Sequence, residues 1–176
     1  MAFAGHMIDG RNRETPRFPI SAVPSVKKRI QEAVRRHQVG VGYTSLAAGS
    51  DVLFAQAILD RGGSLLVYLP FPLERFLQTS ATPADDATIR RIHDHPNVRV
   101  TVLSPLAPDE AGEPGAFAAC WHAIARAAVE HAALLEEDPL LLAVLAPGSP
   151  LTLGGTAYAV EGWAREGYAV EIIEPT

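Results

Sequence analysis

The sequence predicts a doubly wound α/β domain: a mostly parallel sheet of about six strands with helices on both faces. Three observations lead there. Short apolar runs alternate with helical patterns about five times along 176 residues. Most of those runs are continuously apolar, as strands covered on both faces require. Apolar residues make up 48% of the chain, enough for one substantial core. A single domain spanning residues 1–176 is expected.

The elements follow in order. Met1 to Gly5 reads as a short first strand, a strand that in such folds is central. Arg11 to Pro24 holds three prolines and reads as a loop. Ser25 to His37 is an amphipathic helix with Val26, Ile30 and Val34 on one face. Val39 to Tyr43 is the second strand. Gly49-Ser50-Asp51 starts a helix to Asp60, which Gly62-Gly63 ends. Ser64 to Leu69 is the third strand, closed by Pro70-Phe71-Pro72. One or two short helices fill the polar stretch to Pro96. Val98 to Leu103 is the fourth strand, Pro105 to Pro114 a loop, and Gly115 to Glu136 a long helix. Leu140 to Leu145, a helix from Gly154-Gly155 to Glu166, and Ala169 to Ile173 complete a Rossmann-like pattern. Right-handed crossovers then gather the loops that follow the strands at one edge, where ligands bind.

Two of those loops carry anion-binding chemistry. Gly154-Gly155-Thr156-Ala157 opens the last helix: bare amides, the helix dipole and a hydroxyl all favour a phosphate there, although an ordinary glycine turn with a threonine cap would look the same. The loop Tyr43 to Asp51 is small and hydroxyl-rich, and Asp51 either caps its helix or holds a ligand hydroxyl. The first loop adds His6, Asp9, Arg11, Arg13 and Arg17. An arginine there could clamp a phosphate, and His6 could donate a proton or a hydrogen bond, or simply bond to backbone. Neither the dinucleotide fingerprint nor the Walker loop is present, so no cofactor is expected. No His, Cys or carboxylate spacing suits a metal, and Cys120 beside His122 is not a nucleophile pair.

The stretch Gly42 to Pro72, GYTSLAAGSDVLFAQAILDRGGSLLVYLPFP, resembles the second β-α-β unit of the SLOG superfamily. That group includes lonely-guy phosphoribohydrolases, Smf/DprA DNA-processing proteins and nucleotide-sensing domains. GGTA at Gly154 to Ala157 resembles its phosphate loop, and GHMIDGRNRETPRFP resembles the start of its sensing domains. The resemblance implies binding of an NAD-derived or cyclic nucleotide as a sensor or regulatory domain. It places the ligand against Gly5, His6, Arg17, Ser45, Ala48, Gly49, Asp51, Pro70, Gly154, Gly155, Thr156 and Ala157. An N-glycosidic hydrolase is the alternative, with His6, Asp51 or Glu161 as acid–base candidates; a structural interaction domain is the third reading. The lonely-guy motif PGGxGTxxE has its catalytic glutamate where this chain has Ala159, and Glu161 falls on another face of the helix. Whether the chain is an enzyme therefore stays open.

Charge and hydropathy set further expectations. A net charge of −5 disfavours a broad phosphate-neutralising surface, so nucleic acid is not expected as a partner. One cysteine, no signal peptide and no apolar run of about 20 residues point to a cytoplasmic protein off the membrane. The helix around 116–134 is apolar over most of its circumference, with His122, Arg126 and Glu130 as one polar stripe. It is expected to pack on the sheet and to form a homodimer contact.

Overall fold

A computed structural model describes residues 1–10, 13–82, 85–104 and 112–176. Six parallel strands form one sheet in the order β4-β3-β2-β1-β5-β6. They are β1 (Ala2–Gly5), β2 (Val41–Thr44), β3 (Ser64–Leu69), β4 (Val98–Val102), β5 (Leu140–Val144) and β6 (Ala169–Ile173). The strand β1 is central, between β2 and β5. It pairs with β5 along its whole length, from Ala2 opposite Leu141 to Gly5 opposite Val144. From β1 the chain winds outward through β2, β3 and β4, then returns to lay β5 and β6 on the other side. The winding direction reverses between β1 and β5, and the crevice beyond their carboxyl ends is where such a sheet binds ligands.

The helices are α1 (Val23–Arg36), α2 (Ser50–Leu59), α3 (Leu73–Ser80), α4 (Asp86–His93), α5 (Gly112–Leu134) and α6 (Thr156–Arg165). Alternation along each strand divides the core in two. Phe3, Leu65, Val67, Leu142 and Val144 point to one face, under Val26 and Ile30 of α1, Phe54 and Ile58 of α2 and Ile89 of α4. Ala2, Tyr43, Leu141 and Ala143 point to the other, under Trp121 and Ile124 of α5 and Trp163 of α6. Phe3 stacks on Phe54 with ring centroids 4.5 Å apart, which ties β1 to α2 just below the site.

Several boundaries differ from the sequence expectations. The first helix begins two residues earlier, with Pro24 in its first turn, where a missing N–H costs nothing. It ends in a Schellman motif: Val39 N–H bonds the Val34 carbonyl and Gln38 adopts φ +50°. Glu136 ends α5 the same way at φ +57°. The long helix starts at Gly112 rather than Gly115, and most of the expected loop before it, 105–111, lies outside the described residues. The edge strands are not continuously apolar: Arg99 and Thr101 interrupt β4 and Glu171 interrupts β6, because each edge is open to water.

The helix α5 buries Ala118, Cys120, Trp121, Ile124 and Ala128 against the sheet. Its polar stripe of His122, Arg126 and Glu130 is exposed. Among the described residues, no helix is long and apolar enough to cross a membrane.

Candidate functional site

Three chain crossings build a cavity of about 310 Å³ beyond the carboxyl ends of β1 and β5. The first is the exit of β1. Gly5 lies so close to α2 that an added Cβ would stand 2.1 Å from Ser50 Oγ. That proximity lets the Ser50 hydroxyl donate to the His6 carbonyl at 2.8 Å, and Met7 forms an antiparallel bridge to Gly49. Gly49 therefore serves as a point of close backbone approach: it has φ +121°, and a Cβ there would meet Ile8 N at 2.6 Å.

The loop after β1 then folds back on Asp9. Its carboxylate accepts from the backbone N–H groups of Arg17 at 2.8 Å and Phe18 at 2.7 Å, and faces Arg13 Nε at 3.3 Å. This clamp brings Arg17 to the cavity wall, where its Nε is buried without a hydrogen-bond partner among the described residues. Arg11 lies outside the described residues.

The second crossing is the start of α6. Gly155 is its N-cap, with no side-chain cap, and the first intrahelical bond runs from Ala159 N–H to the Gly155 carbonyl. Gly154, Gly155 and Thr156 line the cavity, so the N-terminus of α6 faces it and the dipole there favours an anion. Thr156 is not the cap that the sequence alone allows. Its hydroxyl turns to His6 Nδ1 at 3.4 Å. Gly154, at φ +74°, is a packing glycine, since a Cβ would meet the Pro114 carbonyl of α5 at 2.7 Å.

His6 is buried, and its tautomer follows from counting protons. Ser149 Oγ donates its single proton to the Ala146 carbonyl at 2.7 Å. The contact between His6 Nε2 and Ser149 Oγ at 2.9 Å must then use the ring's proton. Burial, with Arg17 and Arg13 nearby, pushes the imidazole down to about 4, Asp9 offsetting part of this. A neutral ring protonated at Nε2 presents Nδ1 as an acceptor to Thr156. His6 thus orients the hydroxyl at the head of α6.

The third crossing is the loop before α2. Asp51 is 6% exposed and lines the cavity, and its Oδ2 accepts from Ala47 N–H at 3.2 Å. Burial pushes its carboxyl up to about 7, partly offset by that N–H. Ser45 lines the same cavity, and its Oγ is buried without a partner among the described residues. The far wall comes from α5: Phe117, Cys120, Trp121 and Ile124. The Cys120 thiol donates to the Tyr68 carbonyl at 3.2 Å, and burial pushes it up to about 12, which leaves it inert as a nucleophile.

Of the residues expected at the site, Gly5, His6, Arg17, Ser45, Asp51, Gly154, Gly155 and Thr156 line this one cavity. Ala48, Gly49, Pro70 and Ala157 are not among its lining residues. Ala48 is buried, its N–H bonded to the Ser80 carbonyl at 2.7 Å, and Pro70 is buried at the end of β3. Glu161 pairs with Arg165 and lines a different depression over α6. The α5 wall, Ser149, Thr79 and Ser80 were not anticipated, because no local pattern says which loops and helices a crossover brings together. A larger depression, about 580 Å³, sits at the opposite edge near Tyr43, His131, Glu137 and Asp138. The carboxyl ends of α1 and α5 lie there, and their dipoles disfavour an anion. Among the described residues, no group of three or more His, Cys, Asp or Glu is placed to hold a metal.

No family model matches the sequence, and no curated protein matches it. Among solved structures, the chain is similar to DNA processing protein A (DprA) from Streptococcus pneumoniae, at 21% identity and a TM-score of 0.45. The match covers 97% of this chain and 57% of that one, so this chain spans little more than half of its neighbour's length. The Rossmann-like architecture itself rests on the strand order and the two-faced core.

One expectation needs correction. Nucleic acid was set aside as a partner on net charge, yet the structural neighbour is a DNA processing protein. Whole-chain charge alone does not exclude nucleic acid, because local surface can depart from it. Here Lys27, Lys28, Arg35 and Arg36 are all exposed on α1, Lys28 paired with Glu32 and Arg36 with Glu171.

Proposed function

We propose that this domain binds a phosphate-bearing, nucleotide-derived ligand at the β1/β5 crevice, as a sensing or regulatory module. One observation carries the reading: a helix N-terminus with no side-chain cap opens into a cavity that also holds a buried arginine nitrogen with no partner among the described residues. Buried donors without acceptors cost about 1–3 kcal/mol each, and an anion supplies the acceptor. His6 holds Thr156 at the rim of that anion site, while Phe117 and Trp121 offer an apolar wall for a ring.

The test is Gly155→Asp. Aspartate is a favourable N-cap, and the helix persists once Thr152 shifts to admit a Cβ that would stand 2.7 Å from its hydroxyl and 3.1 Å from its carbonyl oxygen. The new carboxylate occupies the anion position. Calorimetry with AMP should show binding to the parent protein and none to the variant, at an unchanged melting temperature without ligand. Equal affinities would remove the anion site from α6.

A second reading, cleavage of an N-glycosidic bond, is favoured by Asp51. A buried carboxyl near 7 suits acid–base work at neutral pH. Chromatography of the same AMP incubation separates the two readings: intact AMP supports a sensor, and free adenine a hydrolase.

A further inference from the structure

We propose that Asp51 and Ser45 form a receptor for a pair of ribose hydroxyls, so that the cavity takes ribose phosphates and discriminates against their 2-deoxy counterparts. This rests on the anion site proposed at α6 and adds the chemistry of the cavity's second polar cluster.

The two clusters differ in kind. Around α6 and Arg17 the groups are donors and positive charge. The cluster at the head of α2 is built of acceptors and a hydroxyl. Asp51 comes from α2, yet its carboxyl reaches the cavity wall that α5 lines, close enough to Cys120 to raise that thiol. Among the described residues only Ala47 N–H bonds it, at 3.2 Å. Arg17 is the one cationic side chain lining the cavity among the described residues, and it acts on His6 rather than on Asp51. Ser45 Oγ, two residues from Ala47, is buried with no partner among the described residues.

A buried carboxyl with one weak bond and no counter-cation calls for neutral donors. A phosphate would be repelled, and an apolar group would leave both side chains unsatisfied. Two vicinal hydroxyls answer both: each donates to a carboxyl oxygen, and one accepts from Ser45. With phosphate on α6, hydroxyls at Asp51 and an apolar wall between, the complementary solute is a pentose phosphate carrying both ring hydroxyls. An exocyclic amine is the other neutral donor that Asp51 could take, and a probe without a base excludes it.

The probes are ribose 5-phosphate and 2-deoxyribose 5-phosphate, with AMP and 2′-deoxy-AMP as the pair that carries a base. Calorimetry on the full chain should show the deoxy member of each pair binding at least about tenfold more weakly, the scale of one hydrogen bond to a charged group. In Asp51→Asn, whose amide oxygen still accepts from Ala47 N–H, the ratio should fall below about threefold. Equal binding of ribose and deoxyribose phosphates, or full discrimination retained in Asp51→Asn, overturns the diol assignment while leaving the anion site standing. Discrimination between the nucleotides but not between the sugar phosphates assigns Asp51 to the base and also overturns it. No binding of any probe, with Gly155→Asp indistinguishable from the parent, overturns the anion site and this inference together.

Discussion

Asp51 sets function against stability within one side chain. Its ordinary carboxyl value of 3.8 rises to about 7 on burial. The folded state therefore holds a proton more tightly than the unfolded chain. That preference stabilises the fold fully below pH 3.8 and is lost as pH rises through 7. The difference caps the cost of ionised Asp51 at about 4 kcal/mol. Asp51→Asn should thus raise the melting temperature at pH 8, by up to about 8–16 °C at about 2–4 °C per kcal/mol for a chain of this size. The gain should shrink below pH 7 and vanish by pH 4. A thermal denaturation series over pH 4–8 checks this, and a variant less stable at pH 8 would show Asp51 to be a structural acceptor. His6 carries the opposite sign: with its imidazole at about 4 against an ordinary 6.5, its contribution is lost as pH falls between those values. In the sequence His6 stood out at the end of a strand and Asp51 at the start of a helix. Their partners did not, because Ser149 lies 143 positions from His6 and only the β1–β5 pairing brings them together.

At the scale of elements, glycines and turns decide how closely the loops can meet. Gly49 lets the head of α2 touch the exit of β1, and both steps that follow depend on it: the Ser50–His6 bond and the entry of Asp51 into the cavity. Gly49→Ala would place a Cβ 2.6 Å from Ile8 N in a backbone conformation that L residues avoid. It should destabilise the fold by roughly 2 kcal/mol or more in urea denaturation, from strain and overpacking together. A neutral substitution would mean that the loop after β1 moves freely. The element types were legible because apolar runs and helical spacing are local signals. Ser64–Leu69 and Ala169–Ile173 fall where the pattern places them. Helix ends were less legible where Gln38 and Glu136 take left-handed conformations that sequence reasoning reserves for glycine or asparagine. The role of Gly154 was likewise hidden, since a glycine that packs against α5 and one that admits a phosphate look alike in a sequence.

For the whole molecule, the central placement of β1 is decisive. A four-residue strand between β2 and β5 puts its exit loop at the reversal point of the sheet. The loops of β1, β2 and β5 then converge, while α5 crosses the opposite face to close the cavity with Phe117 and Trp121. The fold class followed from alternation alone, and so did the edge at which this cavity lies. The wall from α5 required the crossover itself, which joins β4 at the sheet's edge to β5 near its centre and leaves no short-range trace. The most direct test of anion binding at this reversal point is an amide ¹H–¹⁵N titration with AMP. Saturable shifts concentrated at Thr156, Ala157 and Tyr158, with smaller ones at His6 and Asp51, are the expected result. Shifts confined to the opposite edge around Tyr43 and His131, or no shifts at millimolar AMP, would contradict it.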